Sequence, residues 1–195
     1  MKCLVYVLIA VSVVLSSGCK MGRKAEEQKY DSLFLGFRLG MERKAFFDLC
    51  WEYNRKKMFT HGPTNQSVEY RLVHELDSPV YMRFYPSFHE DKIYEMPVTF
   101  AYEHWAPWAP RFKADTLFKK ILPVFKRWYG PDFKELDHPT MGKVYYKMDG
   151  KRRINLFIKD DQFVMAVFTD LKVEKQLKEA AEQPAEENKE EEQQQ

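Results

Sequence analysis

Residues 4–15 form an apolar run behind Lys2, and the run gives way to Ser16, Ser17, Gly18 and Cys19. A bilayer-spanning helix needs roughly 20 apolar residues, whereas a secretory-signal core needs about 7–15. The run is too short to span and the right length for a signal. Residues 1–18 are therefore expected to be a signal peptide that takes no part in the fold. Any domain has to be built from the chain that follows.

A charged start, a short greasy core and small residues before a cysteine resemble a bacterial lipoprotein signal, in which the cysteine becomes the lipidated first residue. The resemblance implies lipidation at Cys19. Gly18 and Ser17 match its pattern, but Ser16 stands where leucine is usual and Leu15 falls one place early. The small residues at 16 and 18 also suit ordinary signal peptidase, so secretion without lipid and an uncleaved anchor stay open. Lys20, in place of the aspartate that retains enteric lipoproteins at the inner membrane, points to the outer membrane of the cell envelope, facing either the periplasm or the surface. The membrane is then a partner through the lipid.

The chain has three cysteines, Cys3, Cys19 and Cys50. With Cys3 lost and Cys19 acylated, Cys50 is left alone, so disulfides cannot staple the domain as they do in many small exported proteins. Cys50 falls among Phe46, Leu49 and Tyr53 on an expected helix, which reads as a buried thiol. A nucleophile or a Cys19–Cys50 bridge are the competing readings. The formal charge of +2 hides an asymmetry. The last twenty residues hold seven Glu against two Lys, and the body from Cys19 to Lys175 is net +6. Such a body could suit anionic partners, but a mixed, solvated surface is the preferred reading. Lys151-Arg152-Arg153 is the densest basic spot. It follows Asp149-Gly150, a hairpin-turn pair, and reads as an exposed turn.

Residues 19–30 are polar and aperiodic, a tether. Residues 31–175 are one domain's worth of chain, enough to bury a core. Residues 176–195 are rich in Glu, Gln, Ala and Lys. With nothing to bury they are expected to be disordered, with at most a frayed helix at the start. Within the body, Met41, Ala45, Phe46, Leu49, Cys50 and Tyr53 recur at helical spacing and predict a helix over 41–57. Alternation predicts strands over 68–76, 80–85 and 92–102, with His74 half-buried and Pro97 marking the third as an edge or broken strand. A second helix is expected over 116–129, capped by Asp115, kinked at Pro123 and stopped by Gly130-Pro131. A three-stranded meander should follow over 144–148, 153–159 and 162–169. The fold class is α+β: two helix-plus-three-strand units, 31–103 and 104–175, with an antiparallel sheet and helices on one face.

Leu35-Gly36-Phe37-Arg38-Leu39-Gly40-Met41, followed by an amphipathic helix and a meander, resembles the unit of small outer-membrane assembly lipoproteins of the BamE type. The tandem arrangement resembles the beta-lactamase inhibitory protein fold, and the whole is similar to lipoproteins of Bacteroides-like bacteria. These resemblances imply binding roles and carry no functional residue onto this chain.

Chemistry-bearing patterns are sparse. His61, His74, His89, His104 and His138 form no close metal-ligand spacing. The adjacent His89-Glu90-Asp91 reads as a solvated turn, because three successive residues cannot all face one ion. No Gly-x-Ser-x-Gly elbow or phosphate-cradling glycine loop occurs. Glu95, Glu103, Asp160 and Asp161 could supply a carboxylate pair, for which separation is the criterion. No catalytic residue, metal or cofactor is expected. Aromatics are the better lead. Tyr102, His104, Trp105, Trp108, Arg111 and Phe112 surround a stretch held extended by Pro107 and Pro110. They read either as an exposed binding patch or as rings folded back onto the sheet. Export makes nucleic acid an improbable partner for such basic-aromatic chemistry. The expected function is non-enzymatic binding or scaffolding at the outer membrane, with an envelope protein as candidate partner. The alternatives are an inhibitor or binding module for an exported enzyme, and a hydrolase with an unrecognised acidic site.

Overall fold

The computed structural model describes residues 30–63 and 66–192. The expected signal peptide, Cys19 and the tether up to residue 29 lie outside the described residues. Helix α1 (Arg43–Arg55) is followed by β1 (Phe59–His61), β2 (Val68–Leu72), β3 (Val80–Phe84), β4 (Ser87–His89) and β5 (Lys92–Tyr102). A 3-10 turn (Pro110–Phe112) leads into α2 (Ala114–Tyr129). Then come β6 (Lys134–His138), β7 (Gly142–Asp149), β8 (Arg152–Ile158), β9 (Val164–Asp170) and α3 (Leu171–Glu192). No helix among the described residues is long and apolar enough to cross a membrane.

The α+β class holds, but the two units do not. The nine strands form one antiparallel sheet in the order β1-β2-β3-β5-β9-β8-β7-β6, with β4 pairing β5. The junction is the β5–β9 ladder, which pairs Glu95 with Thr169 and runs to Phe100 opposite Val164. Two separate units would leave β5 and β9 as apolar edges, an aggregation hazard. Pairing them buries Val98, Phe100, Ala166 and Phe168 instead. β5 is thus central, although Pro97 predicted an edge or a break. On its other side β4 pairs as far as Glu95 and β3 begins at Val98. Pro97 faces the gap between the two, where a missing N–H removes no ladder bond.

Further differences have local causes. The first expected strand stops at Leu72, which leaves His74 exposed in the β2–β3 loop. β6 was not expected, because Lys134–His138 has no apolar alternation; its pairing with β7 alone makes it a strand. The last part of the chain is therefore a four-stranded meander. α2 starts two residues early, and Asp115 lies inside it. The Asp161 carbonyl in the β8–β9 loop accepts the Ala114 N–H at 2.9 Å and does the capping. The helix runs through Pro123, which is on its exposed side, and ends at Gly130 with φ +98°. α3 begins at Leu171, inside the expected domain. Its Leu171, Val173 and Leu177 are only half-buried, and up to residue 182 it buries no side chain. Asp170 caps it through the Lys172 and Val173 amides at 3.0 and 3.3 Å, and Glu174 accepts from both terminal amino groups of Arg153 at 3.1 and 2.9 Å.

Both α1 and α2 lie on the core face of the sheet. α2 presents Leu117, Ile121, Val124 and Phe125, the i, i+4, i+7, i+8 stripe of an amphipathic helix, toward β5, β8 and β9. α1 buries Phe46 and Cys50 beside β1. Burial pushes the Cys50 thiol up to about 12. A thiol is reactive as its thiolate, so this environment opposes the nucleophile reading. In a mature chain carrying Cys19→Ala, labelling by a soluble disulfide reagent at pH 8 is expected to be about a hundredfold slower than in denaturant. Comparable rates in the two conditions would show an accessible, ionised thiol.

Candidate functional site

Between α1 and α2 the core face is covered by residues 30–39 instead of a helix. The segment doubles back on itself. The Phe37 amide bonds the Phe34 carbonyl, Leu33 bonds Phe37, and Leu39 bonds Asp31, each at 2.9 Å. Leu35 (φ +48°) and Gly36 (φ +78°) make the reversal, a conformation that costs glycine little and leucine more. The turn drives Phe37 into the core and leaves a cavity of about 530 Å³ between this segment and α2. Its floor is Tyr70, Leu72 and Met82 of β2 and β3, and one wall is Trp128 and Tyr129. Leu33 and Phe34 form the other wall, with Tyr30 and Ser32 at the chain's entry and Glu75 from the β2–β3 loop. The volume lies within the range of small-molecule sites, about 300–1,000 Å³, and so does the mainly apolar lining.

A charge cluster holds the cavity's N-terminal wall in place. Arg152 is only 4% exposed. One of its amino groups donates to the Ser32 carbonyl, and the other to Asp149 Oδ2 at 2.9 Å. Its cation lies 5.2 Å from the centre of the Tyr129 ring. The Tyr129 hydroxyl donates to the Leu33 carbonyl at 2.9 Å, and burial pushes its pKa above that of an ordinary phenol. Asp149 also accepts Lys147 Nζ at 2.9 Å. Lys151 bridges Asp31 (3.2 Å) and Asp170 (3.1 Å). Burial works against its ammonium, but Asp170 and then Asp31 outweigh it and hold its pKa above the usual lysine value. On the exposed side, Arg127 to Glu75 (3.0 Å) and Lys120 to Asp77 (2.5 Å) hold the β2–β3 loop against α2. Three cations (Lys147, Lys151, Arg152) balance three buried or half-buried aspartates (Asp31, Asp149, Asp170). The cluster thus positions the wall without placing a net charge in the cavity. These side chains can enclose and orient an apolar molecule.

The aromatic patch expected from sequence lies elsewhere and is split. Tyr102 is buried and Trp105 half-buried against the core, whereas Trp108 is 83% exposed. Phe112 bridges the two settings. Its ring is 5.3 Å from Tyr102 and 5.9 Å from the exposed His104, with the Arg111 guanidinium 4.5 Å above it. His89-Glu90-Asp91 is a turn with φ +47° and +58° at Glu90 and Asp91, and the Asp91 carboxylate takes Arg43 Nε at 2.7 Å. No group of three or more His, Cys, Asp or Glu among the described residues could hold a metal ion. Of the four candidate carboxylates, Glu103 and Asp160 hold structural hydrogen bonds. A hydrogen bond from Arg71, reinforced by Tyr81, keeps Glu103 below the usual range. Asp160 accepts the Gln162 and Phe163 amides, and Asp161 caps α2 through its backbone. Glu95 is raised, first by burial and then by Glu174.

The cavity has no signature in the sequence. Trp128 and Tyr129 were legible as an apolar helix end, but Tyr30 was assigned to the tether and Arg152 to an exposed turn. The one usable signal was Arg152 directly after Asp149-Gly150-Lys151: on β8 it alternates in register with Ile154 and Leu156, the core side. Comparison with known protein families, curated proteins and solved structures finds nothing that matches this chain.

Proposed function

We propose that this protein is a lipid-anchored binding module of the bacterial outer membrane, tethered through Cys19, that holds one apolar molecule in the cavity between α2 and residues 30–35. The observation that carries the reading is the cavity itself. A volume of about 530 Å³ with an aromatic and aliphatic lining stands in a core face where helices and chain otherwise fill the space. A ligand that fills it takes the exposed apolar lining out of water, which favours binding. The wall residues are held by paired charges and by the Tyr129–Leu33 hydrogen bond, so the site is formed before a ligand arrives, which lowers the ordering cost of binding. Residues 30–35 connect the cavity directly to the tether, placing it within about 36 Å of an anchored Cys19 at ~3.3 Å per residue.

A fluorescent acyl probe, dansyl-undecanoic acid, tests the reading. Trp128 lines the cavity and should transfer energy to the bound probe, with saturation at micromolar concentrations. The transfer should fall in Trp128→Phe while binding, followed by probe anisotropy, persists. An absence of saturable binding, or transfer indifferent to Trp128, would remove the cavity from the protein's function.

A further inference from the structure

The sheet has two ends, and they are built differently. β6, the last strand on one side, carries Lys134, Glu135 and Asp137 and is exposed almost throughout. Charges of that kind discourage pairing with another chain. β1, at the other end, is Phe-Thr-His and carries no full charge, and among the described residues β2 is its only neighbour. A groove of about 300 Å³ lies between the β1–β2 hairpin and the outer flank of α1. Phe47, Trp51 and Asn54 line it from the helix and Tyr85 from the end of β3. Trp51 is 69% exposed, and Phe47 and Tyr85 are each about two-fifths exposed. Three of the four exposed aromatics among the described residues thus line this one groove.

We propose that this groove is a docking site for an extended, acidic segment of a partner protein, added to the sheet as a strand alongside β1 with one large apolar side chain between Phe47, Trp51 and Tyr85. An added strand gains affinity from main-chain hydrogen bonds and specificity from a side-chain pocket beside the edge. The β1 edge and the groove supply both. The acidic character follows from charge. Arg55, next to the groove-lining Asn54, and Lys57, two residues before β1, form no ion pair among the described residues. Nearby Glu52 is already taken by Lys56 and Asp48 by Lys44. A second copy fits less well. Successive side chains of a strand face opposite sides, so β1 paired with itself would offer the groove either Thr60 or else His61, whose companion Phe59 is buried, and neither fills it. The site is separate from the cavity and does not depend on it.

The test is a differential selection. A random 12-residue phage-displayed library is panned against the mature protein and against Trp51→Glu, whose exposed position leaves the fold intact, checked by an unchanged melting temperature. The expected result is enrichment of peptides that combine one aromatic or long aliphatic residue with acidic neighbours. Their synthetic forms should bind Trp51→Glu at least about tenfold more weakly. Equal enrichment on both proteins, no enrichment, or a basic consensus would each overturn the proposal. So would a dimer in solution that Trp51→Glu dissolves, which makes the occupant a second copy. Binding to phosphatidylethanolamine–phosphatidylglycerol vesicles that Trp51→Glu abolishes would make it a lipid surface.

Discussion

Replacing Phe37 with alanine should lower the unfolding free energy by about 3–5 kcal/mol, the cost of removing a fully buried phenylalanine and leaving its space behind. Phe37 is 1% exposed. Its ring packs against Phe34, Phe46, Phe59 and Phe84 with centroids 5.9, 5.1, 6.2 and 5.3 Å away. Those four rings belong to the 30–39 segment, α1, β1 and β3. The lost contact is therefore shared by four segments at one end of the sheet, and no single neighbour can move in to refill it. Chemical denaturation monitored by circular dichroism measures the effect. Phe37→Leu, which keeps most of the volume, should recover more than half of the loss. If Phe37→Ala costs less than about 1 kcal/mol, the turn at Leu35-Gly36 does not hold the ring in the core as described.

Arg152→Met should cost a similar amount, about 3–5 kcal/mol, for an electrostatic reason. The arginine sits between the Ser32 carbonyl and Asp149. Truncating one partner of a buried ion pair leaves the other's desolvation uncompensated. Asp149 would keep Lys147, while the Ser32 carbonyl would lose its charged donor. The consequence is also local. Residues 30–35 are tied to the rest of the domain by Arg152, by Lys151 through Asp31 and by the Tyr129 hydroxyl. In Arg152→Met, amide hydrogen exchange should therefore accelerate in residues 31–35 before it does in β5 or β9, and affinity for the acyl probe should fall with it. Exchange that rises uniformly, or does not change, would mean that the cluster does not hold the wall. Arg153→Met is the comparison. It removes the pair with Glu174 on the other face, where partial exposure screens the charges, and should cost about 1 kcal/mol or less.

These two residues also mark how far the sequence could be read. α1, α2 and most strand positions were legible because they rest on local periodicity. Leu117, Ile121 and Phe125 announce a helix, and the alternation from Lys92 to Tyr102 announces a strand, before any partner is known. Gly130 announces the end of α2 because its backbone conformation suits few other residues. β6 was not legible, since its pairing with β7 is a property of β7. Pro97 was misleading because its meaning depends on whether a neighbouring strand faces it, and only the strand order supplies that. The two readings of the aromatic stretch stayed open for the same reason. Proline spacing identifies a stiff loop at Trp105 and Trp108 but cannot say which ring turns inward.

The sequence by itself determined the α+β class, the two amphipathic helices, the single free cysteine of the domain and the expectation of export. Each is written in residues close together in the chain. Only the tertiary structure decided that the halves share one nine-stranded sheet, that Arg152 is buried, and that a cavity lies between α2 and residues 30–35. The β5–β9 ladder, the Arg152–Ser32 bond and the cavity's floor and walls join residues some 40 to 120 positions apart, and no local pattern of charge or hydrophobicity encodes which distant surface a residue will meet.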